Sequence, residues 1–366
     1  MSGTPSPDAP APTPPPVLQP SVPPPPGAMP WWVQPPKKRS WVGRILIGMG
    51  TLLFILSVLV NVYLVMFLLA QKGDAFDKTV IGEGRADQTV AVYSVEGIID
   101  DEAVHYFDQF CRRLKTDKQV KAVVLRIDSP GGGVSASDEI YVKVKAIRET
   151  LNKPVVVSMG AVAASGGYYI AAPADAIYAE PTTITGSIGV LAAWPVLKGL
   201  MDKYGVEMVT IRSTQADVWK AAENYWETPE PQVRANMRQM LDEMQAKFES
   251  VVKAGRKNLK LTKVAVTRPG QTGEAEKITQ TEPLNGKVYL AEEAKRFGLI
   301  DNIGYQEDAV KEAARLAGLS KPRIVQYARH RSLRELLGFS DPAAPLDAKT
   351  LDKLTSPRVM MLWKPD

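Results

Sequence analysis

Two short segments of this sequence combine glycine with hydroxyl side chains in a pattern that suits acyl-transfer chemistry. The first is DSPGGG, from Asp128 to Gly133, and the second is GAVAASGG, from Gly160 to Gly167. Each follows a strand-like apolar run and offers backbone N–H groups at the start of a helix. Such N–H groups can stabilise a negatively charged oxygen atom. We therefore identify Ser165, in the second segment, as a candidate nucleophile.

Two other interpretations of these segments are a phosphate-binding loop and a purely structural turn. Neither segment contains the Lys-Ser or Lys-Thr pair of a P-loop. A structural turn is a sufficient explanation of one glycine-rich loop, but it explains two such loops in consecutive β–α units less well. The pattern therefore favours oxyanion binding by both loops.

A serine nucleophile needs a base, and histidine is the usual one. The two histidines are His105, in an amphipathic helix, and His330, in the basic segment ARHRS, so a Ser-His-Asp triad is poorly supported. A lysine can act as the base only when it is neutral, which requires a pKa of roughly 7–8 instead of about 10.4. Lys220, directly after Trp219, is the candidate lysine, and Ser187 in TGSIGV is the candidate hydroxyl anchor.

The elements that must position these residues alternate between strand-like and helix-like runs. Three apolar runs are typical of buried strands: TVAVYSV, VKAVVLRI and PVVVSM. An amphipathic run follows each of the first two. NGKVYLAEEAKRFGLIDNIGYQEDAVKEAARLAG predicts strand, helix, strand and helix. A long amphipathic helix is predicted to begin beyond Thr228, with Pro229 at its first position. This alternation predicts a parallel α/β core.

The first 70 residues predict a tail and a membrane anchor. Fifteen of the 29 prolines precede Lys37, which predicts a disordered tail that is a passive spacer or a ligand for a proline-reading partner. The 26 residues from Ile45 to Ala70 carry no charge, and roughly 20 are enough to cross a bilayer. A cleavable signal peptide is disfavoured, because its apolar region spans only about 7–15 residues and no A-x-A pattern follows. We predict one retained transmembrane helix.

Charge and cysteine content bear on the location. Four basic residues and one acid precede the apolar segment, so the positive-inside rule predicts a cytoplasmic tail and an extracytoplasmic domain. The net charge is +5, of which +3 lies in this tail, so the remaining chain carries +2 and has no nucleic-acid signature. The single cysteine, Cys111, permits no intramolecular disulfide, which fits a bacterial envelope better than a eukaryotic extracellular module.

Together, DSPGGG, GAVAASGGYYIA and TGSIGV resemble the signal peptide peptidase A family of serine peptidases (peptidase family S49), in its short single-domain, membrane-anchored form. The resemblance runs from about Val92 to Tyr305 and includes GKVYLAEEAKRFGLIDNIG. It implies a crotonase-like (ClpP-like) α/β fold with a parallel-sheet core. It also implies a Ser–Lys dyad that works without metal or cofactor, and homo-oligomers in which neighbouring protomers share each site.

The resemblance implies a role for each candidate residue: Ser165 is the nucleophile, Lys220 is the base and Ser187 orients the lysine, while Gly131, Gly132 and Gly166 belong to the backbone that binds the oxyanion. The sequence around the lysine departs from the family. A Gly-x-x-Lys-Asp-like stretch is usual there, whereas this chain has STQADVWKAAENYWETPE. Lys220 is the only lysine between Lys203 and Lys247. This departure leaves open a changed pH optimum or a weakened enzyme.

The leading hypothesis is a serine endopeptidase of the bacterial inner membrane that hydrolyses signal peptides or other short apolar peptides. The alternatives are a catalytically inactive membrane scaffold of the same fold and a crotonase-type enzyme acting on acyl-CoA. The anchor and the translocated domain argue against acyl-CoA. The predicted organisation is a tail (1–44), a transmembrane helix (45–70), a linker (71–88), a peptidase domain (89–320) and a C-terminal extension (321–366).

Overall fold

The computed structural model describes residues 41–70, 76–220, 222, 224, 226–269, 275–329 and 358–362. The chain divides into two compact units, Met1–Gln71 and Lys72–Asp366. The predicted proline-rich tail up to residue 40 and His330 lie outside the described residues.

The described part of the first unit is helix α1 (Trp41–Ala70). Its segment Trp41–Leu64 has a mean hydropathy of 2.4 and is long and apolar enough to cross a membrane, by length and composition. Asn61, the polar residue near its middle, donates its side-chain amide to the carbonyl oxygen of Ser57 at 2.7 Å. This bond satisfies a polar group within the helix itself, as an apolar environment requires. The predicted anchor is therefore one continuous helix.

The second unit is built on a mixed β-sheet. Its central strands lie in the order β12 (Pro322–Arg329), β2 (Arg85–Ile99), β3 (Val120–Gly133), β4 (Val155–Ala164), β5 (Ala176–Ala179) and β11 (Asn302–Ile303), and each neighbouring pair is parallel. The prediction of a parallel α/β core is thus confirmed. Strand β1 (Phe76–Gly82) pairs antiparallel with β12 at the edge. β1 lies in the segment predicted as a linker, and β12 in the predicted C-terminal extension.

Helices cover both faces of the sheet, which is why the central strands are apolar throughout. Along β3, Val123 and Leu125 point into a large core cluster, whereas Val124 points into a smaller one on the opposite face. The large cluster is packed by α2 (Asp101–Thr116), α3 (Val134–Glu149) and α4 (Gly166–Ala171), and the smaller one by α8 (Gln306–Leu316). Because successive side chains of a strand point to opposite faces of the sheet, β3 contributes residues to both clusters.

Other elements complete the second unit. They are β6 (Ile184–Gly186), β7 (Leu191–Ala193), α5 (Lys198–Tyr204), α6 (Pro231–Gly255), the antiparallel pair β8 (Thr262–Pro269) and β9 (Ala275–Glu282), β10 (Val288–Leu290), α7 (Ala291–Phe297) and β13 (Arg358–Leu362). Strands β10 and β11 and helices α7 and α8 confirm the predicted order of strand, helix, strand and helix.

The predicted start of the long helix α6 is wrong by two residues. The helix begins at Pro231, not at Pro229, and Glu230 before it is extended, with φ −64° and ψ 156°. A proline disfavours helical backbone in the residue that precedes it. Glu230 therefore cannot continue a helix from Pro229, and the second proline sets the boundary.

Candidate active site

Ser165 connects β4 to α4 and is 1% exposed. Its backbone has φ 54° and ψ −116°, a conformation that side-chain-bearing residues rarely adopt. Two 2.8 Å hydrogen bonds hold the turn: Ser165 N–H donates to the carbonyl of Gly186, and Tyr169 N–H donates to the carbonyl of Ser165. A backbone of this kind costs roughly 1–3 kcal/mol and is concentrated at functional sites. The turn therefore marks Ser165 as a functional candidate.

The Ser165 hydroxyl is buried without a hydrogen-bond partner among the described residues, and so is that of Ser137 on α3. A Cβ atom placed on Gly166 would lie 2.5 Å from Ser137 Oγ and 3.1 Å from the backbone nitrogen of Gly132. The serine turn and the DSPGGG loop are therefore packed against each other at Gly166. Two unsatisfied hydroxyls in such a place are unusual, because each costs roughly 1–3 kcal/mol.

The DSPGGG loop needs glycine for steric reasons. Gly131 has φ 106°, in the region that favours glycine. A Cβ at Gly132 would overlap the carbonyl oxygen of Ile99 on the neighbouring strand β2. Gly131 N–H donates to Ser129 Oγ at 3.1 Å. The structure thus brings Gly131, Gly132 and Gly166 together beside Ser165, and their role in binding an oxyanion stays a prediction.

A cluster of partly buried charges ties the two loops together. The Asp128 carboxylate accepts a 3.1 Å hydrogen bond from the backbone N–H of Val162, on the same strand end that leads to Ser165. Arg126 pairs with Glu180 at 2.5 Å. A Cβ at Gly160 would lie 2.9 Å from Asp128 Oδ2 and 3.2 Å from Arg126 Nη2, so both side chains pack on that glycine. These contacts hold the end of β4 in place.

Ser187 directly follows Gly186, which is hydrogen-bonded to the serine turn. Gly186 accepts the hydrogen bond from Ser165, and Ser187 N–H donates to the carbonyl of Lys287 at 2.9 Å. Thr185 Oγ1 donates to the carbonyl of Ala163 at 2.6 Å, which fastens β6 to the end of β4. The TGSIGV loop therefore lies beside the serine turn.

Lys220 is exposed, in contrast to Ser165. Its segment is held by Arg212, whose Nε donates to the Lys220 carbonyl at 2.6 Å and whose Nη2 donates to Glu227 at 3.0 Å. Hydrogen bonds from Asn224 and Arg212 lower the pKa of the Glu227 carboxyl. Because Ser165 Oγ has no partner among the described residues, the chain does not bring Lys220 into hydrogen-bond contact with it.

Within the described residues, Cys111 and His105 are poorly placed to act as nucleophile or base. Cys111 is buried in the core, and burial raises the pKa of its thiol to about 12, so it is not a reactive thiolate. His105 is exposed on α2, where its Nε2 lies 2.6 Å from the side-chain amide of Gln109. Within the described residues, no group of three or more His, Cys, Asp and Glu side chains is arranged to hold a metal ion.

Sequence reasoning missed several residues around the site. Ser137 lies on a predicted helix and was not distinguished from the other small residues there. Tyr169, in the helix that follows Ser165, donates its hydroxyl to Asp138 at 2.6 Å. Burial, together with this carboxylate, raises the pKa of the Tyr169 phenol, so it remains a proton donor. Ser137 and Asp138 lie near the start of the helix that follows DSPGGG, and this position was the available signal.

The site and the sheet define a ClpP-like protein: a parallel sheet between helices, with a serine at a strand-to-helix turn and a glycine-rich loop from the adjacent strand. A family model described as Clp protease matches residues 84–183. A second model, described as peptidase family S49, matches residues 147–320. The chain belongs to peptidase family S49.

Known relatives agree with this assignment. The chain is 36% identical to protease 4 of Salmonella typhi, over 59% of this chain and 31% of that protein. It is 36% identical to putative protease slr0021 of Synechocystis sp., over 58% and 70%, and 30% identical to a putative signal peptide peptidase SppA of Enterococcus faecium, over 67% and 68%. The chain thus spans about a third of the length of protease 4.

A solved structure with a similar chain is that of the 1510-N membrane-bound stomatin-specific protease, in a mutant form that is in complex with a substrate peptide. It is 17% identical, with a TM-score of 0.36, over 69% of this chain and 97% of that chain.

Proposed function

We propose that this chain is a membrane-anchored serine endopeptidase that uses a Ser–Lys dyad to hydrolyse signal peptides or other short apolar peptides at the membrane. The observation that carries the proposal is the buried, unpartnered hydroxyl of Ser165 at a strained turn beside Gly131 and Gly132, all among the described residues. A strained turn and an unsatisfied hydroxyl both cost stability, and active sites are where such costs are retained.

The proposed reaction is acyl transfer through Ser165. Its Oγ attacks the peptide carbonyl carbon, and its proton passes to the neutral Nζ of Lys220. The carbonyl oxygen becomes an oxyanion, which backbone N–H groups of Gly132 and Gly166 stabilise, with Gly131 beside them donating its own N–H to Ser129 Oγ. The C–N bond then breaks, and the lysine ammonium gives its proton to the leaving amine. Water then attacks the acyl carbon and gives a proton to the lysine, the bond between that carbon and Ser165 Oγ breaks, and the lysine returns the proton to Oγ as the acid product leaves. Ser187 orients the lysine throughout.

We assign the dyad to two neighbouring protomers of a homo-oligomer. Within one chain, Ser165 is buried and Lys220 is exposed, and no hydrogen bond among the described residues joins them. The segment leading to Lys220 also exposes large apolar side chains, including Leu200, Tyr204, Val209, Ile211, Val218 and Trp219. A group of exposed large apolar side chains such as this is typical of a subunit contact. A head-to-tail ring would bury it and bring one protomer's lysine to the next protomer's serine.

The substrate class and the location rest on the anchor and the family. Helix α1 supports attachment to a bilayer, where apolar peptides are retained. The relative from Enterococcus faecium carries the name of a signal peptide peptidase. The basic residues Lys37, Lys38, Arg39 and Arg44 favour a cytoplasmic N-terminus, and hence an extracytoplasmic peptidase domain on a bacterial inner membrane.

Covalent labelling with a serine-directed probe tests the function. The wild-type chain in detergent should be labelled once, at Ser165, and should cleave an apolar fluorogenic peptide. Ser165→Ala should lose both signals, whereas Ser135→Ala, which alters an exposed serine on α3, should keep both. An unlabelled and inactive wild-type oligomer would instead favour the scaffold alternative.

Protease protection tests the orientation. External protease applied to intact spheroplasts should degrade the domain after α1 and spare an epitope placed at Ser2. The opposite pattern would overturn the proposed side of the membrane, and with it the substrate pool.

A further inference from the structure

Ser137 carries a buried hydroxyl on the first turn of α3, the helix that follows the DSPGGG loop. The residue is 0% exposed, and its Oγ has no hydrogen-bond partner among the described residues. An unpaired buried hydroxyl lowers stability, and an alanine would fill nearly the same space without that cost. The hydroxyl therefore calls for a functional explanation.

This hydroxyl lies where the two glycine loops meet. Ser137 Oγ and the backbone nitrogen of Gly132 lie 2.5 Å and 3.1 Å, respectively, from the point that a Cβ atom of Gly166 would occupy. Gly166 is the residue directly after Ser165. A side chain at position 166 would collide with Ser137 Oγ, so the glycine there allows the hydroxyl to approach. Ser137 Oγ therefore borders both residues whose N–H groups are proposed to bind the oxyanion.

Two contacts hold this part of α3 against the helix that follows the nucleophile. Tyr169, on α4, donates its hydroxyl to Asp138 Oδ1 at 2.6 Å, and Asp138 directly follows Ser137. Tyr141, one turn further along α3, packs its ring edge-on against Tyr169, with 5.3 Å between the ring centroids. The backbone of Ser137 is therefore fixed on α4 before any substrate binds, and its hydroxyl has only to rotate toward an acceptor.

The proposed reaction creates such an acceptor. A serine hydroxyl can donate one hydrogen bond, and the described residues offer Ser137 none to make in the resting chain. During acylation the carbonyl oxygen of the substrate becomes an oxyanion beside Gly132 and Gly166. A donor that is unpaired before the reaction and paired in the transition state lowers the barrier, because it stabilises the transition state more than the bound substrate.

We propose that the Ser137 hydroxyl is a further catalytic group: it donates a third hydrogen bond to the oxyanion, next to the N–H groups of Gly132 and Gly166, and keeps its proton throughout. The inference rests on the proposed peptidase function. Removal of one oxyanion donor costs an enzyme about 100-fold or more in kcat, which sets the size of the expected effect.

Substitution of Ser137 is the first test. Ser137→Ala should lower kcat for an apolar peptide about 100-fold with KM unchanged, while Tm stays at or above that of wild type because an unpaired hydroxyl is lost. Ser137→Cys nearly keeps the shape of the side chain, but its S–H is a weak donor, so kcat should fall as well. Ser135→Ala, on the exposed side of α3, is the control and should keep the wild-type kcat. A lowered Tm with kcat intact would make Ser137 purely structural and overturn the proposal.

A peptide aldehyde tests the contact with the oxyanion itself. When Ser165 Oγ bonds to the aldehyde carbon, its proton passes to the lysine and the carbonyl oxygen becomes an oxyanion, but no leaving group departs. Ser137→Ala should therefore weaken inhibition by the aldehyde about 100-fold. The amide of the same peptide should bind Ser165→Ala and the double variant Ser137→Ala/Ser165→Ala equally, because neither chain forms an oxyanion. Equal aldehyde inhibition of wild type and Ser137→Ala would refute the third donor.

The two proposals fail in different ways. A wild-type chain that is neither labelled at Ser165 nor active removes the peptidase function, and the role of Ser137 with it. A labelled and active wild type that Ser137→Ala matches in kcat and in aldehyde inhibition removes the role of Ser137 alone.

Discussion

Ser165 donates its backbone N–H to the carbonyl oxygen of Gly186 at 2.8 Å. This bond continues the pairing of β4 with β6, in which Ala164 lies opposite Gly186, so the serine turn begins where that parallel pair ends. The strand pair fixes the residue on either side of the turn and leaves the backbone of Ser165 little freedom to relax. The positive φ of the serine is therefore a property of the sheet that surrounds it.

The strain at Ser165 predicts that glycine is more stable there than serine. Glycine adopts this backbone at no steric cost, which recovers roughly 1–3 kcal/mol, and it loses about 0.4–1 kcal/mol through unfolded-state entropy. Relative to Ser165→Ala, which removes the same unpartnered hydroxyl but keeps the strain, we expect Ser165→Gly to raise the free energy of unfolding by about 1 kcal/mol and Tm by roughly 2–4 °C. Both variants should be inactive. A Tm of Ser165→Gly below that of Ser165→Ala would contradict the strain.

Adjacent glycines in the DSPGGG loop should tolerate a methyl group differently. A Cβ at Gly132 would overlap the Ile99 carbonyl, whereas one at Gly133 would lie 3.7 Å from Ala136 Cβ, an ordinary contact. Gly132→Ala should therefore displace the loop, lower stability by about 1–3 kcal/mol and abolish hydrolysis. Gly133→Ala should change stability by about 0.5 kcal/mol or less and retain activity. Thermal unfolding and peptide hydrolysis of the two variants measure the contrast, and equal effects would show that the loop is not sterically constrained at Gly132.

Arg212 should act as a positioning residue for the lysine. It holds the Lys220 carbonyl at 2.6 Å and the Glu227 carboxylate at 3.0 Å, so Arg212→Gln frees the segment that carries the proposed base. Displacement of a catalytic group by about 1 Å can cost roughly 100-fold, so we expect kcat to fall about 10- to 100-fold with KM little changed. Arg315→Gln, which removes an exposed pair with Glu312 on α8, is the control and should leave kcat as it is. A raised KM with kcat unchanged would instead assign Arg212 to substrate binding.

The ion pair between Arg256 and Asp301, away from the site, should contribute more to the free energy of unfolding than an exposed ion pair does. Arg256 is 7% exposed and donates to Asp301 at 2.6 Å, while the other carboxylate oxygen accepts from Ile177 N–H at 2.7 Å. Arg256→Met leaves that carboxylate without its cation, so the free energy of unfolding should fall by about 2–3 kcal/mol. Adding Asp301→Asn should restore part of the loss. Urea unfolding measures both, and an effect of Arg256→Met no larger than that of Arg315→Met would refute the buried pair's importance.

Mixed oligomers test whether neighbours share the dyad. Ser165→Ala and Lys220→Met chains should each be inactive, and methionine keeps the length of the lysine but cannot accept a proton. After co-assembly at equal amounts, a site made of one protomer's serine and the next protomer's lysine is intact about a quarter of the time. Hydrolysis should recover to about a quarter of wild type. A site contained within one protomer would recover nothing, and verified mixed oligomers that remain inactive would rule out the shared dyad.

Patterns that are local in the sequence were sufficient to predict the parallel core and to identify Ser165 as a candidate. Apolar runs such as VKAVVLRI indicate strands buried on both faces, because burial acts on each residue of the run. Glycine before a helix start indicates a backbone that must approach something closely. These signals located Ser165 and the glycines of both loops, which the fold brings together.

The tertiary structure decided what depends on pairing between distant segments. Three examples are the position of β12 between β1 and β2, the contact of Asp128 with Val162 and the pairing of β13 with β3. In each of them the paired residues are far apart in the chain, and no periodic pattern in the sequence marks them as partners. A main-chain hydrogen bond can be made by almost any residue, so its partner leaves little trace in side-chain type. The sequence by itself therefore indicated which residues are candidates for the chemistry, and only the folded sheet decided which backbone edges pair with one another.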